Sequence, residues 1–225
     1  MQAGNWKMKL QATTRGGRGF TLTEFLVVIC VVAVVAVLLL PAIAAGKRKN
    51  SNIHCFNNLM QIGLASRIWE GDNGDKYPMQ LAVTNDAMIK LISGGNAYVI
   101  WQTMSNLLGT PKNLFCPADK QRTAAVSFSQ NFSDANISYF LSLDAADAYP
   151  QLVLSGDDNL AVNGVRVRPG ILNLSTNASV EWTMERHHGT GNLGLSDGSV
   201  QSATIIRLQQ AFQQTGFATN RLVIP

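Results

Sequence analysis

No charged side chain occurs between Phe25 and Ala45. That absence excludes a solvated surface helix and leaves roughly 20 apolar residues, which at 1.5 Å rise per residue span the ~30 Å hydrocarbon core of a bilayer. A Lys/Arg stripe with interleaved aromatics is also missing. Lys7, Lys9, Arg15 and Arg18 precede the apolar run and Lys47, Arg48 and Lys49 close it, so the net charge of +4 marks its flanks and gives no nucleic-acid signature. Motifs that carry chemistry are absent too: there is no G-x-S-x-G, no S-x-x-K with its partner motifs, no G-x-x-x-x-G-K-[ST] and no H-E-x-x-H. The chain is therefore not expected to be an enzyme, and it has no ATP site of its own.

What is present fits one membrane helix plus a single domain of about 150 residues in a chain of 225. Hydrophobic residues make up 46% of the chain, and much of that excess sits in the apolar run. Glu24 stands just inside the start of that run. An unpaired carboxylate at the bilayer centre costs about 2.5 to 3.5 kcal/mol on insertion scales, and less near the interface, so it calls for a partner.

Gly19-Phe20-Thr21-Leu22-Thr23-Glu24, behind a short basic leader and ahead of the apolar run, resembles the prepilin leader junction of type IV pilins and type II secretion pseudopilins. In that family a membrane-embedded prepilin peptidase cuts after the glycine, N-methylates the new first residue and leaves the glutamate five residues in. The resemblance implies cleavage between Gly19 and Phe20, methylation at Phe20, and Glu24 as the carboxylate that pairs during assembly. Pro41 lies where the family often carries a helix proline. The basic residues on either side leave orientation open. The resemblance places the leader in the cytoplasm and the rest beyond a bacterial inner membrane, periplasmic or in an extracellular filament.

Further stretches resemble a pattern of planctomycete-type prepilin-like proteins. They are Cys55-Phe56-Asn57-Asn58-Leu59-Met60-Gln61-Ile62-Gly63-Leu64-Ala65, then Tyr77-Pro78, then Phe115-Cys116-Pro117-Ala118-Asp119. His187 is separated by nine residues from Asp197-Gly198, the spacing of a prepilin-type H-x9-D-G module whose role is unknown. The implied partners are the peptidase, other pilin-like subunits, the inner membrane and a secretion or pilus machinery driven by a separate ATPase. A type II secretion pseudopilin leads, with a type IV pilus subunit as the alternative. The competing class is an exported protein that joins no filament and binds a ligand or catalyses by itself, either membrane-anchored through an uncleaved helix or released by a signal peptidase at the small residues of Pro41-Ala42-Ile43-Ala44-Ala45.

The expected organisation is a cleaved leader over 1–19, a membrane helix over 20–45, an amphipathic continuation over 46–70 and an exported α+β domain over 71–225. Pro41 removes one backbone hydrogen bond and is expected to loosen the helix. In the continuation, Ile53, Phe56, Met60, Leu64 and Ile68 repeat every three or four residues and form the face expected to meet the domain. Short helices are expected over 85–92, 97–108 and 205–214. Strands are expected over 137–143, 152–154, 165–167, 171–174, 179–184, 192–195 and 199–203, making a long helix on an antiparallel sheet. The last two strands flank Asp197-Gly198, a type I′ hairpin signal.

Cys55 and Cys116 either bridge, closing a loop of about 60 residues for about 4 kcal/mol in the chain-entropy model, or remain two thiols. His187, His188 and Asp197 have metal-ligand side chains. Adjacent histidines on a strand point to opposite faces, so at most one of them can join Asp197. A turn-stabilising role for Asp197 is the simpler expectation, and no metal site is assigned. Asp157-Asp158-Asn159 and Ser196-Asp197-Gly198 offer oxygen ligands for calcium without an EF-hand pattern.

Overall fold

A computed structural model describes residues 19–225, so the expected leader up to Arg18 lies outside the described residues. The described chain divides into two compact units between Ala45 and Gly46.

The first unit holds the opening half of α1 (Leu22–Asp72), a helix that runs through Pro41. From Phe25 to Ile43 every large apolar side chain described is exposed, from 47% at Val35 to 70% at Leu38. Such a helix is apolar all round, and it is long and apolar enough to cross a membrane.

The second unit is α+β, with the Gly46–Asp72 part of α1 packed on an antiparallel sheet. After the turn at Asn73–Asp75, α2 (Pro78–Val83) starts with proline at its first position and the Gln80 side chain accepting from the Tyr77 N–H. Next come α3 (Asp86–Ser93), capped by Asn85 Oδ1, then α4 (Tyr98–Thr103), α5 (Ser105–Leu108) and a 3₁₀ turn over Pro111–Leu114. Strands follow as β1 (Tyr139–Ser142), β2 (Val153–Asp157), β3 (Leu160–Val162), β4 (Val165–Arg166), β5 (Gly170–Ser175), β6 (Val180–Trp182), β7 (Gly191–Leu195) and β8 (Val200–Ala203). Helix α6 (Ile205–Gln213) and strand β9 (Thr219–Ile224) complete the chain.

The main sheet has six strands in the order β5-β9-β1-β2-β7-β8, and β4-β3-β6 form a smaller one. Alternation along the strands feeds two cores. Tyr139, Leu141, Leu154 and Val223 point with Cys55, Leu59, Ile62, Trp101 and Met104 into one, whereas Phe140, Val153, Leu222 and Ile224 join Trp182, Leu208 and Phe212 in the other. The main sheet is thus covered on both faces, which makes β1 and β2 buried throughout.

Three expectations change. The face of α1 that meets the sheet carries Cys55, Leu59, Ile62, Ala65 and Ser66, while Ile53, Met60, Leu64 and Ile68 are roughly half-exposed. Two rows on the helix share the three-to-four spacing, and the buried side includes Gly63, where the helix comes close to the β7–β8 turn. An ideal Cβ on Gly63 would stand 3.3 Å from Gly198 Cα. The β7–β8 turn is not type I′, which needs positive φ at both central residues. Gly198 alone has it (φ 83°); its N–H donates to Leu195 O at 2.9 Å, and the Leu195 N–H donates to Ser199 O at 2.8 Å. That is a three-residue loop closed by a glycine bulge. His187 and His188 are not on a strand but in a turn, both in the left-handed region at φ 50° and 54°.

Candidate functional site: the start of the long helix and the buried cysteine–histidine cluster

At the start of α1, Thr21 precedes the first helical residue and its carbonyl accepts the Phe25 N–H at 3.1 Å. The Thr21 N–H and hydroxyl both donate to Glu24 Oε2 at 2.8 Å, and Thr21 Oγ1 accepts from the Glu24 N–H at 3.3 Å. This reciprocal pair is a capping box, and its T-x-x-E signature was present in the sequence. Glu24 therefore has a local task as well as its charge. Gly19 and Phe20 lie just before the helix, and Phe20 is exposed. Pro41 lies within the helix and Cys30 is an exposed thiol on it.

The remaining sequence-selected residues gather around β7 in the second unit. At its leading end, Cys55 of α1 and Cys116 are joined by a disulfide with Cα atoms 5.4 Å apart. His187 Nε2 lies 3.4 Å from Cys116 Sγ and 3.8 Å from Asp157 Oδ2. The Asn192 N–H and Nδ2 donate to the same Oδ2 at 2.8 and 3.0 Å, whereas Asp157 Oδ1 is buried without a hydrogen-bond partner. Asn58 donates to Phe115 O and to the Tyr139 hydroxyl, tying the asparagine pair after Cys55 to the segment around Cys116.

Burial dominates the protonation of this pocket. It pulls His187 down to about 4, with the Arg186 guanidinium acting in the same direction. It lifts Asp157 to about 6 although Arg186 and Asn192 oppose the shift. His187 is accordingly neutral near pH 7.

Next to it lies an ion network that the sequence did not reveal. Arg186 is paired with Asp158 and lies 3.4 Å from Asp119, and it donates to Ser138 O at 3.0 Å. Arg122 lies 2.5 Å from Asp158 and 3.3 Å from Asp119, and also donates to Pro225 O. Burial pushes the Asp119 carboxyl up, but Arg186, the Gln121 N–H, Ser138 and Arg122 together hold it below its ordinary value. Asp157-Asp158-Asn159 is thus buried, with Asp158 ion-paired, and is not a solvated loop. Asp119 in the Phe115–Asp119 motif was the available signal; nothing in the spacing marked Arg186 as its partner.

At the trailing end of β7, Asp197 Oδ1 accepts the Ser199 N–H at 2.8 Å, the turn role expected for it. Tyr77 donates its hydroxyl to Ser196 O at 2.7 Å, and Gly63 abuts Gly198. His187 and Asp197 therefore sit at opposite ends of a five-residue strand, roughly 3.3 Å per residue, and do not form one site. Each end is tied to α1: His187 through the disulfide, and the Asp197-Gly198 turn through Gly63.

Comparison with protein-family models, with curated proteins and with solved structures gives no match for this chain.

Proposed function

We propose that the chain is a prepilin-like structural subunit, cleaved after Gly19, methylated at Phe20 and assembled through α1 into a pseudopilus of a type II secretion system. The observation that carries this is the opening half of α1, apolar on every side, with a single carboxylate at its start. Such a surface requires lipid or other apolar helices around its whole circumference. Cleavage would create a cation at Phe20, and in an apolar bundle that cation on one subunit and Glu24 on its neighbour each relieve the cost of burying the other, which sets axial register. The second unit would then be carried beyond the membrane, with the half-exposed Ile53, Met60, Leu64 and Ile68 as further contact surface.

A second reading is favoured by the capping box, which gives Glu24 a partner within its own helix. In it α1 is only an anchor and the second unit works alone.

Mass spectrometry of the mature N-terminus separates the two readings, because a chain that keeps residues 1–19 leaves α1 as an anchor alone. Methylated Phe20 is expected; a start near Ala45 or Gly46 removes the assembly helix and overturns the proposal. Glu24→Gln then isolates charge, because glutamine preserves the box. Loss of filament incorporation with normal membrane insertion is expected. Normal assembly in Glu24→Gln with failure in Glu24→Ala would assign Glu24 to capping alone.

A further inference from the structure

We infer that Cys55, Cys116, Asp157 and His187 form a four-ligand site for a divalent transition ion such as zinc, filled when the Cys55–Cys116 bridge is reduced. Two thiolates, an imidazole and a carboxylate are a ligand set suited to tetrahedral zinc. One ligand atom from each residue lies within 4.8 Å of all the others. Zinc bonds of about 2.0 to 2.3 Å place tetrahedral ligands roughly 3.3 to 3.8 Å apart, and the His187 distances to Cys116 and Asp157 are 3.4 and 3.8 Å. The two sulfurs must separate from their bonded position, and any pair near the 4.8 Å limit must draw in by about 1 Å.

Two independent features prepare the site. Asp157 Oδ1 is buried without a hydrogen-bond partner, so a cation would supply what the protein does not. The charges of the ion, Arg186 and Arg122 nearly balance two thiolates and the carboxylates of Asp119, Asp157 and Asp158. Asn192, fixed on Asp157 Oδ2, orients the carboxylate as an outer-shell partner.

The exchange balances with a dithiol as reductant. It delivers two electrons and two protons to the bridge, becoming a disulfide itself, and leaves two thiols on the protein. Zinc then displaces one proton from each thiol. Oxidation by a disulfide-class oxidant reverses both steps, releasing the ion and restoring the bridge. Bridge and ion would thus tie α1 to the segment around Cys116 in oxidising and reducing surroundings respectively. This does not depend on filament assembly.

The test uses the full chain in detergent micelles, reduced anaerobically with a phosphine, freed of excess reductant and titrated with zinc against a chromophoric chelator. Near-UV circular dichroism monitors the fold. One zinc per reduced chain is expected and none per oxidised chain, with cobalt giving the absorption bands of a tetrahedral thiolate site. His187→Ala and Asp157→Asn should each weaken zinc binding by more than about tenfold, and His188→Ala should not. A folded reduced chain that takes up no zinc overturns the inference. So does zinc binding that survives His187→Ala, or a reduced chain that unfolds and is not restored by zinc.

Discussion

The two parts of α1 obey opposite rules within one helix. Up to Ile43 its described large apolar side chains are exposed, and its start is organised by the capping box at Thr21 and Glu24. Beyond Gly46 the helix is divided by face: Cys55, Leu59 and Ile62 are fully buried, and Asn58 and Arg67 bond the domain around them. Hydrophobicity alone does not distinguish a core-forming helix from one that needs an external partner. What matters is whether the chain itself supplies the second surface, and here it does so for one part only.

The comparison can be broken most severely by deleting residues 1–45. The remaining unit should be monodisperse without detergent, whereas the full chain should partition into micelles; sedimentation in both conditions decides, and aggregation of the shortened chain would show that the two parts are not independent. Next in size is a pair of truncations on the same helix. Leu59→Ala should cost the second unit about 2 to 5 kcal/mol in thermal or denaturant unfolding, and Leu38→Ala less than about 0.5.

A smaller contrast comes from two glycines on the helix. A Cβ at Gly46 meets nothing within 4 Å, so Gly46→Ala should stabilise the helix by roughly 0.5 to 1 kcal/mol. Gly63→Ala gains the same propensity but presses on Gly198, and should cost about 1 to 3 kcal/mol net. Smallest is a pH effect confined to the second unit. The folded state holds Asp119 below its ordinary 3.8, so it binds that proton less tightly than the unfolded state. The resulting stability is present above pH 3.8 and lost as pH falls through the lower folded value. Asp119→Asn should flatten that acid limb in a pH series of unfolding midpoints.

Much of the fold was legible where pattern and neighbour coincide. The hairpin around Asp197-Gly198, the capped start of α3 at Asn85 and the helix that begins at Ile205 all matched local signals. Strand β9 was not legible, because Thr219–Ile224 shows only a short apolar end; its place between β5 and β1 comes from partners far away in sequence. Strand β3 is three residues long and pairs with two other short strands. In the site, the spacing of His187 and Asp197 suggested a unit, yet an extended β7 holds them apart.

By itself the sequence determined the apolar span, the boundary charges, the carboxylate at Glu24 and the glycine of the β7–β8 turn, since each follows from residue type over a few positions. Tertiary structure alone decided which row of α1 is buried, that Cys55 meets Cys116, that His187 and Asp157 stand beside them, and that Arg186 and Arg122 together neutralise Asp119 and Asp158. The physical reason is the range of the interaction. A helix period or a cap is closed within one turn, whereas burial and charge pairing are satisfied by whichever distant segments the two-faced sheet brings into contact.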